Sequence, residues 1–100
     1  SSEKNNMQRE MISGLKAQLK NAESLKSEIL LVSEKVIPLY KQTLNAQLSE
    51  YQNNRIIINN LIETIRMILM KEEKLAELKS DYQMAVAEIE GIVGKSLKNN

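Results

Sequence analysis

The sequence predicts an all-α fold: a long antiparallel two-helix coiled-coil hairpin that oligomerises. Three observations carry this. Apolar residues recur at steps of three and four through both halves of the 100-residue chain. Phe and Trp are absent, and three Gly with one Pro leave almost no turn chemistry for a sandwich or a barrel. A polar stretch, Leu48-Ser49-Glu50-Tyr51-Gln52-Asn53-Asn54-Arg55, separates the two periodic runs near the midpoint. Asn is the non-Gly residue that best accepts left-handed backbone, so Asn53-Asn54 is a place for the chain to reverse.

The first helix is expected over residues 5–52. Its stripe reads Ile12, Leu15, Leu19, Ala22, Leu25, Ile29, Val32, Val36, Tyr40, Leu44, Leu48 and Tyr51. The mean step is about 3.5 residues, the spacing of a supercoiled pair and not of a lone straight helix. Gly14 weakens the run locally, at roughly 1 kcal/mol against Ala, without ending it. Pro38 lacks an N–H and crowds the carbonyl four residues back. Because the stripe continues through it in phase, the expectation is a kink at Pro38 within one helix.

The turn is expected at 53–55 and the second helix over 56–95. Ile58, Leu61, Ile65, Ile68, Leu75, Leu78, Tyr82, Ala85, Ile89 and Val93 repeat the spacing and lapse only at Glu72. Gly91 and Gly94, with Lys95 and Lys98 close by, mark where this helix fades, cations being favoured near a helix C-terminus. Lys71-Glu72-Glu73-Lys74 reads as a solvated face of close opposite charges.

A reversal at Asn53-Asn54 places opposite each other residues whose numbers sum to about 107. Leu15 with Ile92, Ala22 with Ala85, Leu25 with Tyr82, Ile29 with Leu78, Val32 with Leu75 and Leu39 with Ile68 satisfy this, and nearer the turn Leu44 with Ile62 and Leu48 with Ile58 sum to 106. A reversal at Pro38 would leave the last quarter of the chain without a partner. Ile56, Ile57, Met67, Leu69 and Met70 lie beside the second stripe, as Leu30, Leu31 and Ile37 lie beside the first. A stripe that wide faces more than one neighbour, so the hairpin is expected to meet other helices in an assembly.

Composition bounds the chemistry. Fourteen basic and thirteen acidic residues give a formal net charge of +1, which offers no field for a nucleic acid. With neither Cys nor His, thiolate nucleophiles, imidazole bases and the usual zinc ligands are missing. Carboxylates on a solvated hairpin have nothing to raise a pKa or to position a substrate, so no enzyme and no cofactor are expected. Met7 with Met11, and Met67 with Met70, share helical faces and could suit copper(I), but Met is also a helix former and gap filler, and packing is the reading here. The longest aliphatic run, Ile29-Leu30-Leu31-Val32, is far short of the roughly 20 residues of a spanning helix. Ser1-Ser2-Glu3-Lys4-Asn5-Asn6 has no initiator Met and no apolar signal segment, which reads as a fragment of a longer protein.

Tyr51-Gln52-Asn53-Asn54, then Leu61-Ile62, Leu75-Ala76, Tyr82, Ala85, Ala87, Ile89 and Gly94, together resemble the closing segment of the outer-membrane efflux protein family, the TolC-like channels. The spacing from Tyr51 to Tyr82 to Gly94 needs no gap. Ile37-Pro38 is similar to the Ile-Pro ahead of this segment in the heavy-metal efflux branch. Asn54 stands where the family usually has Gly, Glu63-Thr64 replaces its common Asp-Ala, and Ile56 stands where drug exporters carry a tip Arg, with Arg55 adjacent. The resemblance implies a periplasmic hairpin of a Gram-negative outer-membrane channel. Hairpins of three protomers would form a helical tube, with the membrane reached only through other parts of the chain. It further implies that Tyr51, Asn53, Asn54 and Arg55 meet a periplasmic adaptor protein, in complex with an inner-membrane pump, or close the channel. Two other readings are an adaptor (membrane-fusion) hairpin and a generic structural coiled coil. Adaptor tips usually carry Arg-x-x-x-Leu, and Arg55-Ile56-Ile57-Ile58-Asn59 lacks the Leu.

Overall fold

The structure, a computed structural model, describes residues 2–53 and 57–98. The order is α1 (Ser2–Leu31), a π-helical turn (Val32–Val36), α2 (Ile37–Gln52) and α3 (Ile58–Lys98). The first arm is helical from Ser2 to Gln52 and the second from Ile58 to Lys98. The helix ends lie within three residues of the expected ones on both arms.

The described residues form two compact units. One is Glu28–Leu78 and contains the reversal. The other joins the residues up to Ser27 with those from Lys79 onward. In this second unit the pairing is antiparallel. A Cβ at Gly14 would lie 3.8 Å from Cδ1 of Ile92, and Gln18, Asn21 and Leu25 line a groove with Asp81, Ala85 and Glu88. Within Glu28–Leu78, Lys41 Nζ lies 3.9 Å from Glu72 Oε1. Both side chains are about half exposed, so the pair adds only about 0.2–1 kcal/mol.

Every buried residue described on α3 falls on an alternation of three and four. Leu61, Thr64, Ile68, Lys71, Leu75, Leu78, Tyr82, Ala85, Ile89 and Ile92 are all buried or half-buried. The stripe read from the sequence departs from this at three places. Ile58, Ile65 and Val93 were placed on the seam, yet all three are exposed. Thr64, at 8% exposure, occupies the position expected for Ile65, which is 43% exposed. Its hydroxyl donates to the Asn60 carbonyl at 3.1 Å, so a polar residue sits there with its hydrogen bond made. The apparent lapse at Glu72 vanishes, because the repeat falls on Lys71, whose aliphatic stem can cover apolar neighbours while its ammonium reaches water.

The first arm shows the same substitution of position for hydrophobicity. Its covered residues include Met11, Leu15, Gln18, Ala22, Leu25, Ile29 and Val32, then Ile37, Tyr40, Leu44 and Gln47, with Gly14, Ser33, Val36 and Pro38 half-buried beside them. Ile12, Leu19 and Leu48, expected on the seam, are exposed, as is Leu39, expected opposite Ile68. Gln47 Oε1 is buried with no hydrogen-bond partner.

Pro38 does not interrupt the helix. Leu31, Val36 and Ile37 all keep right-handed helical angles, and the helix runs on through Pro38. A π turn lies just ahead of it. There the Ile37 N–H donates to the Val32 carbonyl, one residue further back than in an α-helix.

Leu78→Ala, at a side chain only 3% exposed, should destabilise the chain by about 2–5 kcal/mol, whereas Leu39→Ala should change stability by less than about 0.5 kcal/mol. Urea denaturation followed by circular dichroism separates the two. Gly14→Ala should stabilise by about 0.5–1 kcal/mol, because the new methyl meets Ile92 at an ordinary contact distance and the backbone there is helical. A lowered denaturation midpoint for Gly14→Ala would show that the seam is tighter at that point than the 3.8 Å approach implies.

Candidate functional site

The candidate site is the reversal. α2 ends at Gln52 without a basic residue in its last turn, and Asn53 follows as its cap. The Asn53 N–H donates to the Glu50 carbonyl at 3.1 Å, a three-residue closure that tightens the last turn. Its φ of −96° and ψ of 12° lie in the bridge region. Asn53 is therefore not left-handed. Asn54 and Arg55, the other half of the expected turn and the expected basic contact, lie outside the described residues, as does Ile56.

On the far side, Ile57 precedes the first turn of α3, and its carbonyl accepts the Asn60 N–H at 3.0 Å. The first turn of α3 holds no acidic residue. Of the expected contact residues, Tyr51 is 42% exposed at the end of α2 and Asn53 is exposed beside it. The structure thus brings these two together at one end of the Glu28–Leu78 unit.

Apolar surface beside the seam is expected from the sequence at Ile57 and Leu69, but not at Leu48, Tyr51, Ile58 and Ile62. Leu48 and Tyr51 on α2, with Ile57, Ile58 and Ile62 around the start of α3, are all exposed, Ile57 most of them at 68%. Ile58, Ile62, Ile65 and Leu69 continue along α3 as a second stripe, at steps of four, three and four. It lies one residue around the helix from the buried Leu61, Thr64 and Ile68. The signal was present in the run Ile56-Ile57-Ile58, but half of that stripe had been assigned to the seam. Leu39 and Met70 add exposed apolar surface elsewhere in this unit.

Chemically, such a site offers apolar area and backbone and side-chain hydrogen bonding. Among the described residues no group of three or more His, Cys, Asp or Glu could hold a metal ion. No described helix is long and apolar enough to cross a membrane. Compared with protein-family models, curated proteins and solved structures, the chain matches none.

Tyr51→Ala and Asn53→Ala should each leave global stability within about 0.5 kcal/mol of the parent, because both side chains are exposed and the Asn53 hydrogen bond uses backbone only. Thermal melts of the two variants check this. A loss of several degrees would make the reversal a stability determinant.

Proposed function

We propose that this chain is the periplasmic α-helical hairpin of a tripartite efflux outer-membrane channel. In this role it builds a helical tube with copies of itself and meets an adaptor protein at the reversal. The observation that carries the reading is the second apolar stripe, Ile58, Ile62, Ile65 and Leu69, which the hairpin leaves exposed beside its own seam. A helix with two such stripes is suited to a neighbour on each. The chain exposes 7892 Å², whereas a compact monomer of 11.4 kDa averages about 5,800 Å². The surplus, about 2,100 Å² on one chain, is more than the roughly 800 Å² that each partner contributes to a standard interface.

The ungapped resemblance of residues 37–94 to the efflux family supplies the compartment and the partners: a Gram-negative periplasm, an adaptor protein and an inner-membrane pump. In that setting Tyr51, Asn53, Asn54 and Arg55 contact the adaptor or close the channel. The exposed Leu48, Ile57 and Ile62 add an apolar component to the same contact.

Two measurements test the reading. Ile62→Asp with Leu69→Asp should abolish self-association of the chain in sedimentation velocity while leaving it helical. An unchanged association state would remove the role given to the second stripe. In cells expressing the full-length protein, Tyr51→Ala or Arg55→Ala should lower export or alter channel closure with assembly intact. Normal export by correctly assembled variants would leave the reversal as a turn only, and the chain as a structural coiled coil.

A further inference from the structure

The covered positions of the first arm contain one residue too many. From Met11 to Val32 they advance by four and three in strict alternation, ending on a step of three from Ile29 to Val32. The next step should be four and should fall on Val36. Val36 is half-buried, but the alternation resumes from the buried Ile37, through Tyr40, Leu44 and Gln47. Five residues therefore separate Val32 from Ile37 where the repeat asks for four. That stretch is the π turn, Val32–Val36, in which the hydrogen-bonded loop is one residue longer than in an α-helix.

Continuing the α-helical repeat without the π turn would place Val36, Leu39, Thr43, Ala46 and Glu50 against α3. The observed phase places Ile37, Tyr40, Leu44 and Gln47 there, a set with more apolar area to bury and no carboxylate. Leu39 is accordingly 62% exposed, and Thr43 turns outward with its hydroxyl bonded to the Leu39 carbonyl at 3.0 Å.

We infer that one residue of Val32–Val36 is an insertion in an otherwise unbroken seven-residue repeat, and that the π turn is a phase-setting device. It rotates α2 by one residue, about 100°, around its own axis. It thereby decides which side chains of the reversal end face outward. Burial of Ile37, Tyr40 and Leu44 holds this phase, and Pro38 only makes the wider turn easier, by avoiding the carbonyl that its ring would crowd in a regular helix. The alternative phase has no comparable seam, so the device is fixed and does not switch.

The chain has no cysteine, so single thiols can report the phase directly. Leu39→Cys and Thr43→Cys should react with a maleimide at least about tenfold faster than Tyr40→Cys and Leu44→Cys, because a covered thiol must wait for local opening. The same order should persist when each is combined with Pro38→Ala. It should persist again when Ser33 is deleted together with Pro38→Ala, since the repeat then runs unbroken from Met11 to Gln47. Helicity and melting temperature of the deletion variant should be no lower than in the parent. Exchange of the fast and slow positions in either background overturns the inference, as does equal reactivity at all four. Loss of helicity on deleting Ser33 also overturns it, because the inserted residue would then be needed for folding.

Discussion

Two long helices stay in contact only if two residues in every seven face the other helix, and the whole structure follows from this spacing. On α3 the alternation of three and four persists from Leu61 to Ile92 without a slip. A lone α-helix drifts by about 20° per heptad against such a repeat, and supercoiling removes the drift. Once the phase is set by the strongest positions, such as Leu61, Leu78 and Ala85, every other residue is assigned a face by its number.

Chemistry then has to conform to position. Thr64 is carried into the seam and satisfies its hydroxyl on the preceding turn. Lys71 and Gln18 are carried there too, and each has a long aliphatic stem to lay along apolar neighbours. In exchange, Ile58, Ile65 and Val93 are turned outward. The polar seam residues and the exposed isoleucines are thus two consequences of one phase. The outward isoleucines, joined by Ile62 and Leu69, create the apolar flank that the hairpin itself cannot cover.

On the first arm the same constraint meets a sequence that does not divide by seven. The helix absorbs the extra residue as a π turn and keeps its right-handed angles throughout. The adjustment lies one turn ahead of Pro38, where a regular helix would be least comfortable. On the inference above, it couples a feature in the middle of the arm to the exposure of Leu39 and Thr43 nearer the reversal.

The sequence by itself determined the helical class, the absence of a turn at Pro38 and the location of the reversal, because a hydrophobic period and a polar break are local properties read over many residues. It also marked Tyr51 and Asn53 as lying at that reversal. What only the tertiary structure decided is the phase. At Met11 against Ile12, Gln18 against Leu19, Gln47 against Leu48 and Thr64 against Ile65, hydrophobicity favours the second residue of each pair and the seam takes the first. A period read from composition tolerates an error of one residue at any position, whereas two packed helices do not. One residue is about 100° of rotation, enough to exchange a covered side chain for an exposed one.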